Sequence, residues 1–302
     1  MQPEQTVPAK SAALTTSATP QQVAYESQKE EASVSISTAI ESTHYDLPPA
    51  ICIGIPIVSL LILWIVPLFG QRAYDILIPH EIGFLEIGTV VFLIPAIVLG
   101  VLCFLRRRHM PKGVGWIMLL AAIAALYFAG EETNWGQTYF HWKTPDVWAN
   151  LNKQNETNLH NLELKKYGWY ADLVDDLLSN VPRQIMLIFC LVGGIILPLV
   201  LRRRLSRPTA RQSVWYWLIP TQRLIPAALL AVVSAVPEKI YRVLKHTHNI
   251  PNWLSKGRYA YLAFVDPAGE FKEYCFAMVM LFYLLSVYIR VRHNPISKVV
   301  GK

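Results

Sequence analysis

Long apolar blocks, each stopped by a cluster of charge, limit this chain more than any other feature. They run over about Ala50–Phe69, Ile87–Leu105, Gly113–Gly130, Ile185–Leu201 and Tyr274–Ile289. Arg106–Arg108 close the second, Glu131 and Glu132 the third, Arg202–Arg204 the fourth, and Arg290 and Arg292 the last. The hydrocarbon core of a bilayer is about 30 Å thick and a helix rises about 1.5 Å per residue, so about 20 apolar residues cross it. Only 16% of the 302 residues are charged, against roughly 25% in a soluble domain. The pattern predicts an all-α membrane protein, a bundle of about six transmembrane helices.

The sixth crossing, span 5 in chain order, is the difficult one. Leu224–Pro237 is short alone, so the helix has to recruit Trp215–Ile219. That would carry Arg223 about 12 Å inward from Trp215, where an arginine must snorkel or find an acid. Alternatively, 215–220 lies flat at the interface and the span is short.

Residues 1–46 are rich in Ser, Thr, Ala and Gln and hold no apolar run. They are expected to form a disordered cytoplasmic tail. Residues 47–293 form the six-span domain, with an outward polar segment over 131–181, and 294–302 form a cytoplasmic C-terminal tail. Cys52, Cys103, Cys190 and Cys275 all fall inside apolar blocks and read as small core hydrophobes.

Charge sets the orientation. The connection after span 2 (Arg106, Arg107, Arg108, Lys112), the one after span 4 (Arg202, Arg203, Arg204, Arg207, Arg211) and the C-terminal tail carry no Asp or Glu. The positive-inside rule puts all three in the cytoplasm, giving an N-in/C-in topology. The net charge of +7 is spent on these clusters rather than on a groove-like patch, so nucleic acid is not an expected partner; the bilayer is.

Every acidic residue after Asp46 then falls on the outward side. Glu81 and Glu86 precede span 2, Glu131 and Glu132 follow span 3, Glu238 follows span 5, and Glu270 and Glu273 open span 6. Asp266–Pro267 is a good N-cap and N1 pair, and Glu270 suits the positive end of the helix dipole. Glu273 lies a turn deeper, and ionisable groups at that depth face protein or a wet cavity.

Between spans 3 and 4, Thr144-Pro145-Asp146 reads as a helix start. If 152–163 is helical, Glu156, His160 and Glu163 share one side, while Gln154, Asn158 and Asn161 face the other. Glu and His four apart can chelate a metal. No H-E-x-x-H, paired-cysteine, G-x-S-x-G or phosphate-loop signature occurs. The stretch Glu131-Glu132-Thr-Asn-Trp135-Gly136-Gln137, then Thr144-Pro145, then Asn152-x-Gln154-x-Glu156-x-Asn158-Leu159-His160-Asn161 resembles a family of uncharacterised bacterial multi-pass membrane proteins. The resemblance spans 131–161 and implies a bacterial inner membrane; it carries no activity.

The expected site is an outward pocket with Glu131, Glu132, Glu156, His160, Glu270 and Glu273 as catalytic candidates. Asn158, Asn161, Gln137 and Trp135 would bind substrate, and His160, Glu132 and Glu273 could ligate a divalent metal, under a roof of Trp135, Trp142, Trp148 and Trp169. Three functions fit: a metal- or acid/base-assisted enzyme acting on a lipid or lipid-linked substrate, a transporter using the acids as a cation or proton site, or an assembly factor docking a membrane protein partner.

Overall fold

Backbone amides in hydrocarbon have no water to bond, so an apolar chain satisfies them within helices, and the apolar blocks among the described residues are helical. A computed structural model describes residues 25, 28–29, 33, 46–70, 72–73, 83–159, 161–162, 164, 168–205, 210, 212–247 and 268–293. Among them there is no strand, only one isolated bridge between Asn152 and Leu162. Most of the expected 1–46 tail, all of 294–302, and His80, Glu81, His160, Glu163 and Asp266–Pro267 lie outside the described residues.

The principal helices are α1 (Pro49–Ile65), α2 (Phe84–Leu105), α3 (Val114–Glu132), α4 (Asp146–Leu151), α5 (Leu173–Val200), α6 (Val214–Leu218), α7 (Ile225–His246) and α8 (Ala268–His293). Five helical runs are long and apolar enough to cross a membrane: 84–105, 114–132, 173–200, 214–246 and 269–293. A sixth apolar helix, α1, is shorter, about 26 Å at the helical rise.

The fifth run departs from a continuous helix. Ile219 and Thr221 take extended backbone around Pro220, so α6 ends before α7 begins. Proline lacks the amide hydrogen that would continue the ladder, and it disfavours helical backbone in the residue before it. Trp215–Ile219 is therefore not the first turn of α7. Nor does α6 simply lie on the surface, because Trp217 is fully buried. The long helix gains its length at the other end, passing Pro237 to His246. Arg223 sits in the turn Gln222–Leu224, half-buried, and flanks the Cys52 thiol together with Asp46.

Proline also explains α5. Its two π-turned stretches, Asp176–Asn180 and Phe189–Ile196, lie just before Pro182 and Pro198. A wider turn absorbs the hydrogen bond that each ring removes.

α8 is the central element. It packs on α2 and α7, α3 packs on α2, and α5 packs on α7. Most of the apolar stretch of α8 is buried, 78%, against 28% for α2 and 17% for α5. The outer helices turn Val91, Ile94, Leu120, Ile188 and Val200 outward, a continuous apolar exterior that suits lipid and not water. Small residues set the close approaches: a Cβ on Gly100 would lie 2.7 Å from Ala122, and one on Gly194 2.6 Å from Ala228. The four cysteines are free and buried. At one end Ser286 donates to Asp46 Oδ1 (2.7 Å), and towards the other Ser59 and Tyr274 share a hydrogen bond of 2.8 Å.

Candidate functional site

At the opposite end from Asp46, two helices bring three carboxylates together. Glu132 closes α3, and Glu270 and Glu273 lie in the first turns of α8. One carboxylate oxygen from each lies within 4.8 Å of the others. Glu132 and Glu273 are 8% and 7% exposed, and Glu270 is at the surface. α5 adds a residue that sequence reasoning passed over: Arg183 donates from Nε to Glu273 Oε1 at 2.6 Å. The signal that could have found it is a cation placed where the fourth apolar block begins, on the side where the acids collect.

Glu86, at the start of α2, acts electrostatically on Glu132 from the same mouth. It also reaches Tyr139, whose phenol is held above its ordinary pKa first by burial and then by this carboxylate. Glu86, Glu132, Glu270 and Glu273 therefore crowd one opening. Carboxylates this close share a proton or a cation unless a counter-charge intervenes, and Arg183 supplies one positive charge to the three at the centre.

Below the carboxylates lies a cavity of about 280 Å³. Its wall is apolar (Phe128, Ile185, Met186, Phe276 and Met280 among others), and its polar end is Glu131, Glu132, Arg183 and Glu273. It exists because α3 leans on α2 and α5 leans on α7, leaving no substantial contact between α3 and α5. The floor is α8. Tyr127 also lines the cavity, and its hydroxyl is buried with no partner among the described residues.

The other expected site residues form a second assembly beside this one. After α3 the chain turns through positive φ at Asn134, Trp135 and Gly136. The Trp135 ring folds over Gly130, where a Cβ would be 2.8 Å from it. Trp135 Nε1 donates to Glu131 Oε1 (2.7 Å) and the Leu159 amide to Glu131 Oε2 (2.7 Å). Glu131 thus pins an outer loop to the end of α3, while its side chain also lines the polar end of the cavity.

That loop is not the helix entertained for 152–163. α4 ends at Leu151, and 152–162 closes through the Asn152–Leu162 bridge. Asn152 explains the departure: its side-chain oxygen accepts the amides of Gln154 (2.8 Å) and Glu156 (3.3 Å), offering the backbone an alternative to the helical ladder. Asn158, 1% exposed, donates to Asn134 Oδ1 (2.6 Å) and Glu156 Oε2 (2.7 Å) and accepts from Asn152 (2.8 Å). Gln137 accepts from the Thr157 amide (2.9 Å) and donates to Thr144 Oγ1 (2.6 Å). Asn161 bonds Gln154 and Glu156.

Glu131, Gln137, Glu156, Asn158, Asn161 and Trp135 therefore direct polar atoms into this loop assembly, to one another and to Asn134, Thr144, Asn152, Gln154, Thr157 and Leu159. Glu132, Glu270 and Glu273 do not belong to that knot. Of the expected tryptophan roof, Trp142 stacks on Phe140 at 6.0 Å; the side chain of Trp169 lies outside the described residues. No protein-family model, curated protein or solved structure matches this chain.

Proposed function

We propose that this chain is a membrane-embedded enzyme acting on a lipid or lipid-linked substrate, with Glu132, Glu270 and Glu273 holding a divalent cation or sharing a catalytic proton. One observation carries this function: the apolar cavity between α3 and α5 ends at the buried carboxylates. A hydrocarbon chain suits the wall, and the bond to be changed would lie at the polar end.

The donor set is all carboxylate oxygen, which suits a hard cation such as Mg²⁺ or Mn²⁺ rather than a thiolate- or imidazole-seeking metal. Three carboxylates and one guanidinium carry two net negative charges when ionised, matching a divalent ion. Such an ion would polarise a substrate oxygen; with a proton instead, a carboxylate would act as general base. Arg183 would orient Glu273, and Glu131 with the 152–162 loop would frame the mouth. A transport role fits less well, because beneath Glu132 the cavity runs into apolar side chains rather than a continuing polar path.

Equilibrium dialysis of the purified protein against Mn²⁺ tests the site. About one ion per chain should bind, and Glu132→Gln and Glu273→Gln should each weaken binding by at least about 100-fold, the upper range for disturbing even an outer-shell partner. Equal binding in both variants would remove the metal.

For the whole molecule we propose six crossings of a bacterial inner membrane, with the carboxylate mouth outward and both termini inward. The Arg clusters after α2, α5 and α8 support this orientation. In a background with the four cysteines replaced, a membrane-impermeant maleimide should label Asn150→Cys in intact cells. It should label Leu205→Cys only after permeabilisation. External labelling of both would overturn the topology.

A further inference from the structure

Arg183 and Glu273 belong to two cavities at once. The slot between α3 and α5 has an apolar wall, and Ala124 and Ile185, both exposed, put its mouth on the apolar exterior. A second cavity, of about 220 Å³, lies between α5, α7 and α8. Its mouth is polar: Asn180, Gln184, Lys239 and Glu270 line it and are exposed, while Ala235, 4% exposed, lies deeper in its wall. Glu132 lines only the slot and Glu270 only the polar cavity, so the Arg183–Glu273 pair is the partition between the two. Because one oxygen of each carboxylate lies within 4.8 Å of the others, a cation held by all three would sit in that partition.

We propose, resting on the function above, that the polar cavity is an aqueous port: the divalent cation and water reach the carboxylates through it, while the slot admits lipid. The port's wall carries both signs of charge. Arg183 is paired with Glu273, and Glu270 and Lys272 are each engaged by a neighbour. Such a wall selects no head group by charge. It does offer water both donors and acceptors, the amides of Asn180 and Gln184 included, and its volume holds several molecules at about 30 Å³ each. The slot offers the opposite. An apolar cavity stays dry, so an ion entering from that side would shed its hydration shell with nothing in return before Glu132. Mg²⁺ dehydrates reluctantly and keeps several of its waters when bound. Its route to Glu132, Glu270 and Glu273 is therefore the one along which those waters can travel with it.

In a background with the four cysteines replaced, Ala235→Cys tests the port and Met280→Cys, at 8% exposure, tests the slot. The full chain is held in phosphatidylcholine nanodiscs, its fold checked by circular dichroism, and offered a cationic, membrane-impermeant methanethiosulfonate. The reagent attacks the thiolate, which apolar surroundings suppress, so Ala235→Cys should react at least about tenfold faster than Met280→Cys. A bulky methanethiosulfonate on Gln184→Cys, at the port's mouth, should then slow the release of bound Mn²⁺. Release is driven by excess Mg²⁺ and followed as free Mn²⁺ by electron paramagnetic resonance. A blocked route slows entry and exit alike, so release should fall about tenfold or more while Kd stays within about threefold. Reducing the mixed disulfide should restore the rate. Slow labelling of Ala235→Cys, or Mn²⁺ release indifferent to the plug, would overturn the port and leave the lipid function standing. Equally fast labelling at both positions would show a wet slot and overturn the lipid function together with the separation of routes. Absence of Mn²⁺ binding in the unmodified protein would remove the ion from both proposals, and labelling alone would then decide the passage of water.

Discussion

Glu131→Ala should release the outer loop and speed hydrogen exchange of the amides in 152–162 by about 100-fold or more. The carboxylate is 4% exposed and accepts one bond on each oxygen, from Trp135 Nε1 and from the Leu159 amide, both at 2.7 Å. A hydrogen bond to a charged group is worth about 1.5–3 kcal/mol, and a buried donor left unsatisfied costs a similar amount. Losing two such bonds at neighbouring points therefore costs about 3–5 kcal/mol, since shared partners keep them from adding fully. That cost falls on the loop, whose remaining bonds run within it and to Asn134, Gln137 and Thr144 rather than to α3, so local opening registers it. Glu132→Gln provides the contrast. It lies one residue away but faces the other assembly, so exchange in 152–162 should stay at the level of the unmodified protein. Unchanged exchange in Glu131→Ala would show that the loop is held by other means.

Arg183→Gln should have effects of opposite sign with and without a divalent cation. Without one, Glu273 loses its ion-pair partner while remaining buried beside Glu132. Removing one member of a buried pair costs about 3–5 kcal/mol. The low end, about 3 kcal/mol, applies here because the Arg183 side chain keeps 34% exposure. With Mn²⁺ present, a positive charge that competed for the same carboxylates is gone. At the effective dielectric of a protein site, one unit charge a few ångströms away is worth more than 1.4 kcal/mol, so Mn²⁺ should bind about tenfold or more tightly. Mass action then returns stability to the variant as Mn²⁺ rises. Thermal melts of both proteins across a Mn²⁺ titration read both effects at once. Weaker Mn²⁺ binding in the variant would show that Arg183 supports the ligand set rather than competing with the ion.

Helical character, in runs long and apolar enough to cross a membrane, was legible in the sequence because it follows from local quantities: the length of an apolar run and the charge at its end. The five long runs and the shorter α1 fall on the blocks read from residue types alone. What failed locally was proline and asparagine chemistry. Pro220 divided α6 from α7, and Asn152 drew the amides of Gln154 and Glu156 away from a helix.

Which of two adjacent glutamates belongs to which assembly was decided only in three dimensions. Glu131 and Glu132 are chemically alike and next to each other, but successive residues on a helix point about 100° apart. One reaches Trp135 and Leu159, the other reaches Glu270 and Glu273. Their partners lie 4 to 28 positions away along the chain for Glu131 and in the last helix for Glu132, separations over which no local pattern speaks. Arg183 was invisible for the same reason. Its partner is 90 residues distant and in a different helix. The cavity was equally beyond reach, because it is made by α3 and α5 leaning on different neighbours. A sequence states which faces are apolar; only packing states which of them are left facing a gap.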